Sequence, residues 1–225
     1  MSFSLTIVIV AITVLVSWRA FNDRALMERM ILWPPAVERR KQYDRLLGYG
    51  FVHADWMHLA FNMITLWSFG SAVEREFSAM ITPVGHVLFY LSAIVMAILP
   101  TYLRHRGDAH YRSLGASGGV SAVLFAFILF APWSTLIIFP IPVPIPAFLF
   151  AILYVAYSIW MDRRGRDNVN HSAHLWGAAY GVLFTVLLEP RILGHFTQSL
   201  LGSATPCTET AMTAIAHDPA RQRFT

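Results

Sequence analysis

The chain has 225 residues, 56% of them hydrophobic and 13% charged, with a formal net charge of +4, a sequence pI near 9.5 and one cysteine. That composition leaves too little polar surface to cover a soluble fold, and Cys207 alone can close no internal disulfide or cysteine-type metal finger. The positive charge sits in loops between apolar runs and suits anionic lipid headgroups, not nucleic acid.

Residues 1–18, 56–73, 77–103, 113–161 and 168–188 contain no Asp, Glu, Lys or Arg. A helix needs about 20 mainly apolar residues to cross about 30 Å of hydrocarbon. The first run has no basic segment ahead of it and no small-residue cleavage site, so it reads as a helix that stays. The run 113–161 is long enough for two spans, and Pro140, Pro142, Pro144 and Pro146 divide it. Proline lacks an amide donor and cannot continue a helix, which predicts helices over 115–131 and 146–161 joined by an apolar loop. The expected fold is an all-α polytopic membrane protein of six transmembrane helices. It fills residues 1–189 as one membrane domain and is followed by a polar tail over 190–225.

Three polar groups lie at the heads of these runs. The first in chain order is His53-Ala54-Asp55-Trp56-Met57-His58-Leu59-Ala60-Phe61-Asn62. His58 and Asn62 are one helical turn apart, share a face, and both can donate hydrogen bonds. They suit an oxyanion hole, or equally polar glue between helices. His53 reads as a structural residue that orients the entry to this helix. The second group is Gly115-Ala116-Ser117-Gly118-Gly119. Glycine admits close approach, and a helix start leaves amide donors unused, so Ser117 has the surroundings of a nucleophile. Small residues of this kind also serve plain helix packing. The third is Ala173-His174-Leu175-Trp176-Gly177, continuing to Gly181. His174 lies one turn before a Gly-x-x-x-Gly face, which would press its imidazole against another backbone. A histidine satisfied by water or a carbonyl at a helix end is the alternative.

The order His-x-x-x-x-His-x-x-x-Asn, then Gly-x-Ser-Gly, then Ala-His-x-x-Gly-x-x-x-Gly, each on a separate apolar helix, resembles the rhomboid intramembrane serine proteases over about residues 43–182. Arg45, eight residues before His53, and Glu74, twelve after Asn62, fall where that family carries an arginine and a glutamate. The resemblance implies a rhomboid-like six-helix bundle with a membrane-dipping first loop over 19–52, anchored by Arg45. It implies Ser117 as nucleophile, His174 as general base, and His58, Asn62 and the Ser117 amide as oxyanion donors. Gly115, Gly118, Gly177, Gly181, His53, Arg45 and Glu74 would be structural. Substrates would be transmembrane segments of other membrane proteins, with the lipid bilayer as the surrounding partner and no metal or cofactor. Asp44 stands where the family often has tryptophan, and Ser121 where some members place a tyrosine that stacks on the catalytic histidine, so His174 needs another neighbour.

The resemblance also implies a bacterial plasma membrane, with the site opening to the exterior or periplasm. Charge opposes that orientation. Thirteen Lys and Arg lie on the serine side and four on the other, and the positive-inside rule would put the serine side in the cytoplasm. Two other classes remain as alternatives to a protease: a catalytically silent rhomboid-like protein that binds transmembrane helices, and a metal transporter using His53, His58, His171 and His174.

Overall fold

In the computed structural model, residues 4–138, 141–165 and 169–202 are described. Pro140, Arg166, Cys207 and most of the expected tail lie outside them. The elements in chain order are α1 (Leu5–Asn22), α2 (Arg24–Met30), α3 (Pro34–Arg40), α4 (Arg45–Gly48), α5 (Trp56–Met80), α6 (Pro83–His105) and α7 (Ser117–Phe130). A hairpin follows, β1 (Thr135–Ile138) with β2 (Ile141–Pro146), and then α8 (Ala147–Arg164), α9 (His171–Leu188) and α10 (Ile192–Leu201).

The protein is mostly helical, but the expectation of an all-α chain with an apolar loop at the prolines is corrected. That segment forms a two-stranded antiparallel hairpin, with Thr135 opposite Pro146 and Leu136 opposite Ile145. Prolines at every second position rule out a helix. They leave the amides of the intervening Ile141, Val143 and Ile145 on one edge, and a strand repeats with the same period of two.

Of the six spans expected, length and composition support two, α1 and α6. A third counts if α9 and α10, bent by 109° at their junction, form one crossing. The others fall short for visible reasons. The charge-free stretch of α5 is made less apolar by His58 and Asn62, α8 ends in Asp162, Arg163 and Arg164, and α7 has 14 residues. Almost every residue of α7 is buried, as expected of a helix that is apolar on all sides. It forms the centre of the bundle, packed most extensively on α9 and also on α5 and α6.

Residues 19–52, read as a dipping loop, are largely helical. Arg45 is buried and closes the segment on itself. Its guanidinium donates to the carbonyls of Glu28 and Ile31, each at 2.7 Å, and to Gln42 Oε1 at 2.7 Å. Asp44 sits beside it, paired with Arg29 at 2.7 Å. The hydrogen bond from Arg29 holds the Asp44 carboxyl below its ordinary range, so this residue still ties the segment together without a tryptophan. At the other end of the bundle Glu74 accepts from Ser4 Oγ (2.7 Å), Leu5 N (2.7 Å) and Thr6 N (2.9 Å). A carboxylate on the unpaired amides at a helix start is favourable, and this contact fixes α1 to α5. After Glu189 the chain does not turn wholly polar. Ile192 is buried, and α10 lies against α7 and α9.

Candidate active site

Ser117 and His174 come together although 57 residues separate them. Ser117 Oγ lies 2.8 Å from His174 Nε2. Two glycines on α9 permit that approach. A Cβ at Gly177 would fall inside the Gly118 carbonyl, and one at Gly181 inside the Ala122 carbonyl. A Cβ at Gly118 would in turn come within 2.6 Å of Ala97 Cβ on α6 and 3.4 Å of the Ala173 carbonyl on α9. α7 and α9 are therefore in backbone contact where the two side chains meet, with the small Ala97 of α6 packed close by.

The loop entering α7 is held from several directions. Gly115 has φ +113°, in the region that only glycine adopts without strain, and a Cβ there would reach 2.6 Å from the His58 ring. Its amide donates to the Tyr49 carbonyl at 2.9 Å. Leu32 and Ser113 exchange backbone hydrogen bonds of 2.9 and 3.2 Å, which joins the first loop to this one. The next amide, Ala116 N–H, donates to His53 Nε2 at 3.2 Å.

That last bond decides the tautomer of His53. Because Nε2 accepts, Nδ1 carries the proton and donates to Ser17 Oγ at 2.9 Å, and Ser17 in turn donates to the Phe51 carbonyl at 2.9 Å. His53 is fully buried. Burial, helped by the neighbouring His58, pushes its pKa down from 6.5 to about 3, so it stays neutral. The residue expected to orient the entry to α5 thus also holds the entry to α7.

His58 lies against the loop that carries Ser117, and Asn62 is tied to His58. The His58 ring meets His53 edge-on at 5.0 Å and lies against Gly115. The Asn62 side chain donates to the His58 carbonyl at 2.9 Å, which uses one of its two amide hydrogens. Ser117 opens α7, so its backbone N–H is among the amides that a helix start leaves without an intrahelical partner.

Two residues not singled out in the sequence complete the arrangement. Asn170 caps α9: its Oδ1 accepts from Ala173 N at 3.0 Å and from Thr101 Oγ1 at 3.4 Å. Its Nδ2 donates to Tyr111 OH at 3.0 Å and Ser113 Oγ at 3.3 Å. The start of the histidine helix is thereby tied to the loop that precedes the serine. An Asn directly before the apolar run at His171 is an N-cap signal that the sequence does offer. Tyr154 on α8 stacks on His174, with ring centroids 6.1 Å apart and planes at 25°, and fills the place that Ser121 leaves open. Trp176 is exposed and points away.

These features define a helical membrane protein with a serine and a histidine joined at the starts of two packed helices. The chain belongs to the rhomboid family, whose rhomboid domain model matches residues 40–191. It is similar to the RHOMBOID-like protein 12, mitochondrial, of Arabidopsis thaliana, with 30% identity over 80% of this chain and 56% of that protein. It is 31% identical to the human presenilin-associated rhomboid-like protein, mitochondrial, over 78% of this chain and 46% of the other. The rhomboid protease GlpG of an Enterobacter is 27% identical over 80% of this chain and 60% of its own length. The chain thus spans about half the length of the curated relatives it matches. The expectation of a bacterial plasma membrane, with its outward-facing site, is corrected by these names. The relatives from Arabidopsis, Saccharomyces and mammals are mitochondrial proteins, which points away from that membrane.

Proposed function

We propose that this protein is an intramembrane serine endopeptidase that cuts transmembrane segments of other membrane proteins. The observation that carries this reading is the 2.8 Å approach of Ser117 Oγ to His174 Nε2, between helices whose contact leaves no space for a side chain at Gly177 or Gly181. His174 takes the Ser117 proton as the hydroxyl adds to a peptide carbonyl, and then returns a proton to the leaving amine. The Ser117 amide and the side chains of His58 and Asn62 line the position where the oxyanion forms, and Asn62 retains one amide hydrogen for it. Water then releases the acyl group by the same route in reverse.

The six long helices α1, α5, α6, α7, α8 and α9 are the spans of this reading. At 1.5 Å per residue the 14-residue α7 is about 21 Å long, against about 30 Å of hydrocarbon. Ser117 therefore lies below the membrane boundary, where a peptide bond of a partly unwound substrate helix can reach it. The names of the relatives bring a mitochondrial membrane to the same reading.

The deciding experiment is cleavage of a single-span reporter by the purified protein in detergent, beside Ser117→Ala and His174→Ala. Cleavage by the wild type alone is expected. A wild type that binds the reporter without cutting it would leave a helix-binding rhomboid-like protein instead.

A further inference from the structure

α8 is the outermost of the long helices around the site. Only Ala147 and Ser158 along it are buried, while Leu149, Ile152, Leu153, Tyr157 and Trp160 are exposed. Even so, it supplies the aromatic neighbours of both histidines that open α9. Tyr154 stacks on His174, and Tyr157 meets His171 edge-on at 5.6 Å. The two imidazoles meet each other at 5.7 Å. Tyrosines three apart on one helix therefore mesh with histidines three apart on the other.

The Tyr154 hydroxyl is directed as well. It lies 2.6 Å from Ser121 Oγ. The single Ser121 proton is used in its 2.8 Å bond to the Ser117 carbonyl, so Tyr154 is the donor. One side chain thus touches His174 through its ring and the backbone of Ser117 through Ser121.

We propose that Tyr154 is a positioning residue for the Ser117–His174 pair: its ring, pinned through its hydroxyl to Ser121, fixes the imidazole plane that aims Nε2 at Ser117, so the pair is aligned only while α8 is seated against α9. An imidazole without a ring on its face can rotate about its side-chain bonds, and small misplacements of a reacting group are costly. Offset stacking at this separation is favourable for two aromatic rings. This inference rests on the protease reading for its kinetic consequence, but its structural content can be read without catalysis.

The test compares the wild type with Tyr154→Leu, Tyr154→Phe and Ser121→Ala. The readouts are kcat and KM for the single-span reporter, and the rate at which a small fluorophosphonate labels Ser117. Tyr154→Leu should lower kcat by roughly 10- to 100-fold at unchanged KM and slow labelling by a similar factor. The small probe needs no transmembrane substrate to enter, so slow labelling reports alignment. Tyr154→Phe and Ser121→Ala keep the ring and lose only the pin, so each should lose less than tenfold. They also carry the test if the leucine variant does not fold.

In parallel, the ring resonances of His174, identified by their loss in His174→Ala, should move in Tyr154→Leu as the ring current is removed. Resonances that stay in place, or a leucine variant that labels at the wild-type rate with only KM raised, would overturn the proposal. A wild type with the stacked resonances but no cleavage would count against the protease reading alone.

Discussion

Replacing Gly177 by alanine adds a single methyl group and removes no reactive atom, yet it should cost most of the activity. The new Cβ would coincide with the Gly118 carbonyl, and a backbone carbonyl inside a helix cannot rotate aside. α7 is also packed tightly on α6, where a Cβ at Gly118 would come within 2.6 Å of Ala97 Cβ, so the strain falls on the contact with α9. α9 must then move outward by more than about 1 Å to restore an ordinary carbon–oxygen contact. The displacement acts where it matters, since Ser117 adjoins Gly118 and His174 precedes Gly177 by one turn. A separation of 2.8 Å would open to about 4 Å, outside hydrogen-bond range. Misplacement by about 1 Å costs on the order of 10²-fold, or about 3 kcal/mol of barrier. Initial rates on a single-span reporter should therefore fall at least that far for Gly177→Ala. Gly107→Ala, where a Cβ meets nothing within 4 Å, should match the wild type. If Gly177→Ala keeps its thermal transition and cleaves within threefold of the wild type, the close packing of α7 on α9 does not set the alignment.

His53→Gln tests the buried histidine through pH. Burial lowers its folded pKa from 6.5 to about 3, so the unfolded chain takes up the proton first. Its stabilisation is complete above about pH 6.5 and is lost as pH falls toward 3, at about 1.4 kcal/mol per unit. Glutamine does not titrate and can still accept from Ala116 N–H, so the fall in unfolding midpoint between pH 6.5 and 4 should be shallower in the variant, and parallel curves would refute this account. Asn62→Ala should lower turnover by about 10²-fold without abolishing it, since other donors remain; an unchanged kcat would take Asn62 out of the site.

What the sequence made legible was the set of groups that chemistry or close packing demands. Ser117 and His174 could be paired in advance by the motif order shared with the rhomboid proteases, since a Gly-x-x-x-Gly face beside a histidine and a small-residue helix, each taken alone, also suit plain packing. The ends of elements were less legible. α5 runs past Glu74 because that carboxylate is occupied by the amides of α1, a long-range partner that no local pattern reveals. The proline run marked only where a helix must stop; that it pairs with Thr135–Ile138 depends on which amides face which edge. Tyr154 carried no signal because an aromatic residue on an apolar helix reads as lipid-facing, and its neighbour Tyr157 is exposed. Only the rotation of α8 in the bundle separates the two.

The supports of Ser117 and of His174 are not independent. The serine loop is held by Tyr49 and His53, and the histidine helix by its Asn170 cap, which also bonds to Ser113 in the serine loop. On the other side, Tyr154 reaches His174 by its ring and Ser117 by way of Ser121. Each of these two links touches both halves of the pair, so neither half can shift without straining a contact of the other. That arrangement suits the proposed reaction, in which the proton would pass between the two residues at a fixed distance while the substrate, a helix coming apart, would supply no rigid frame of its own.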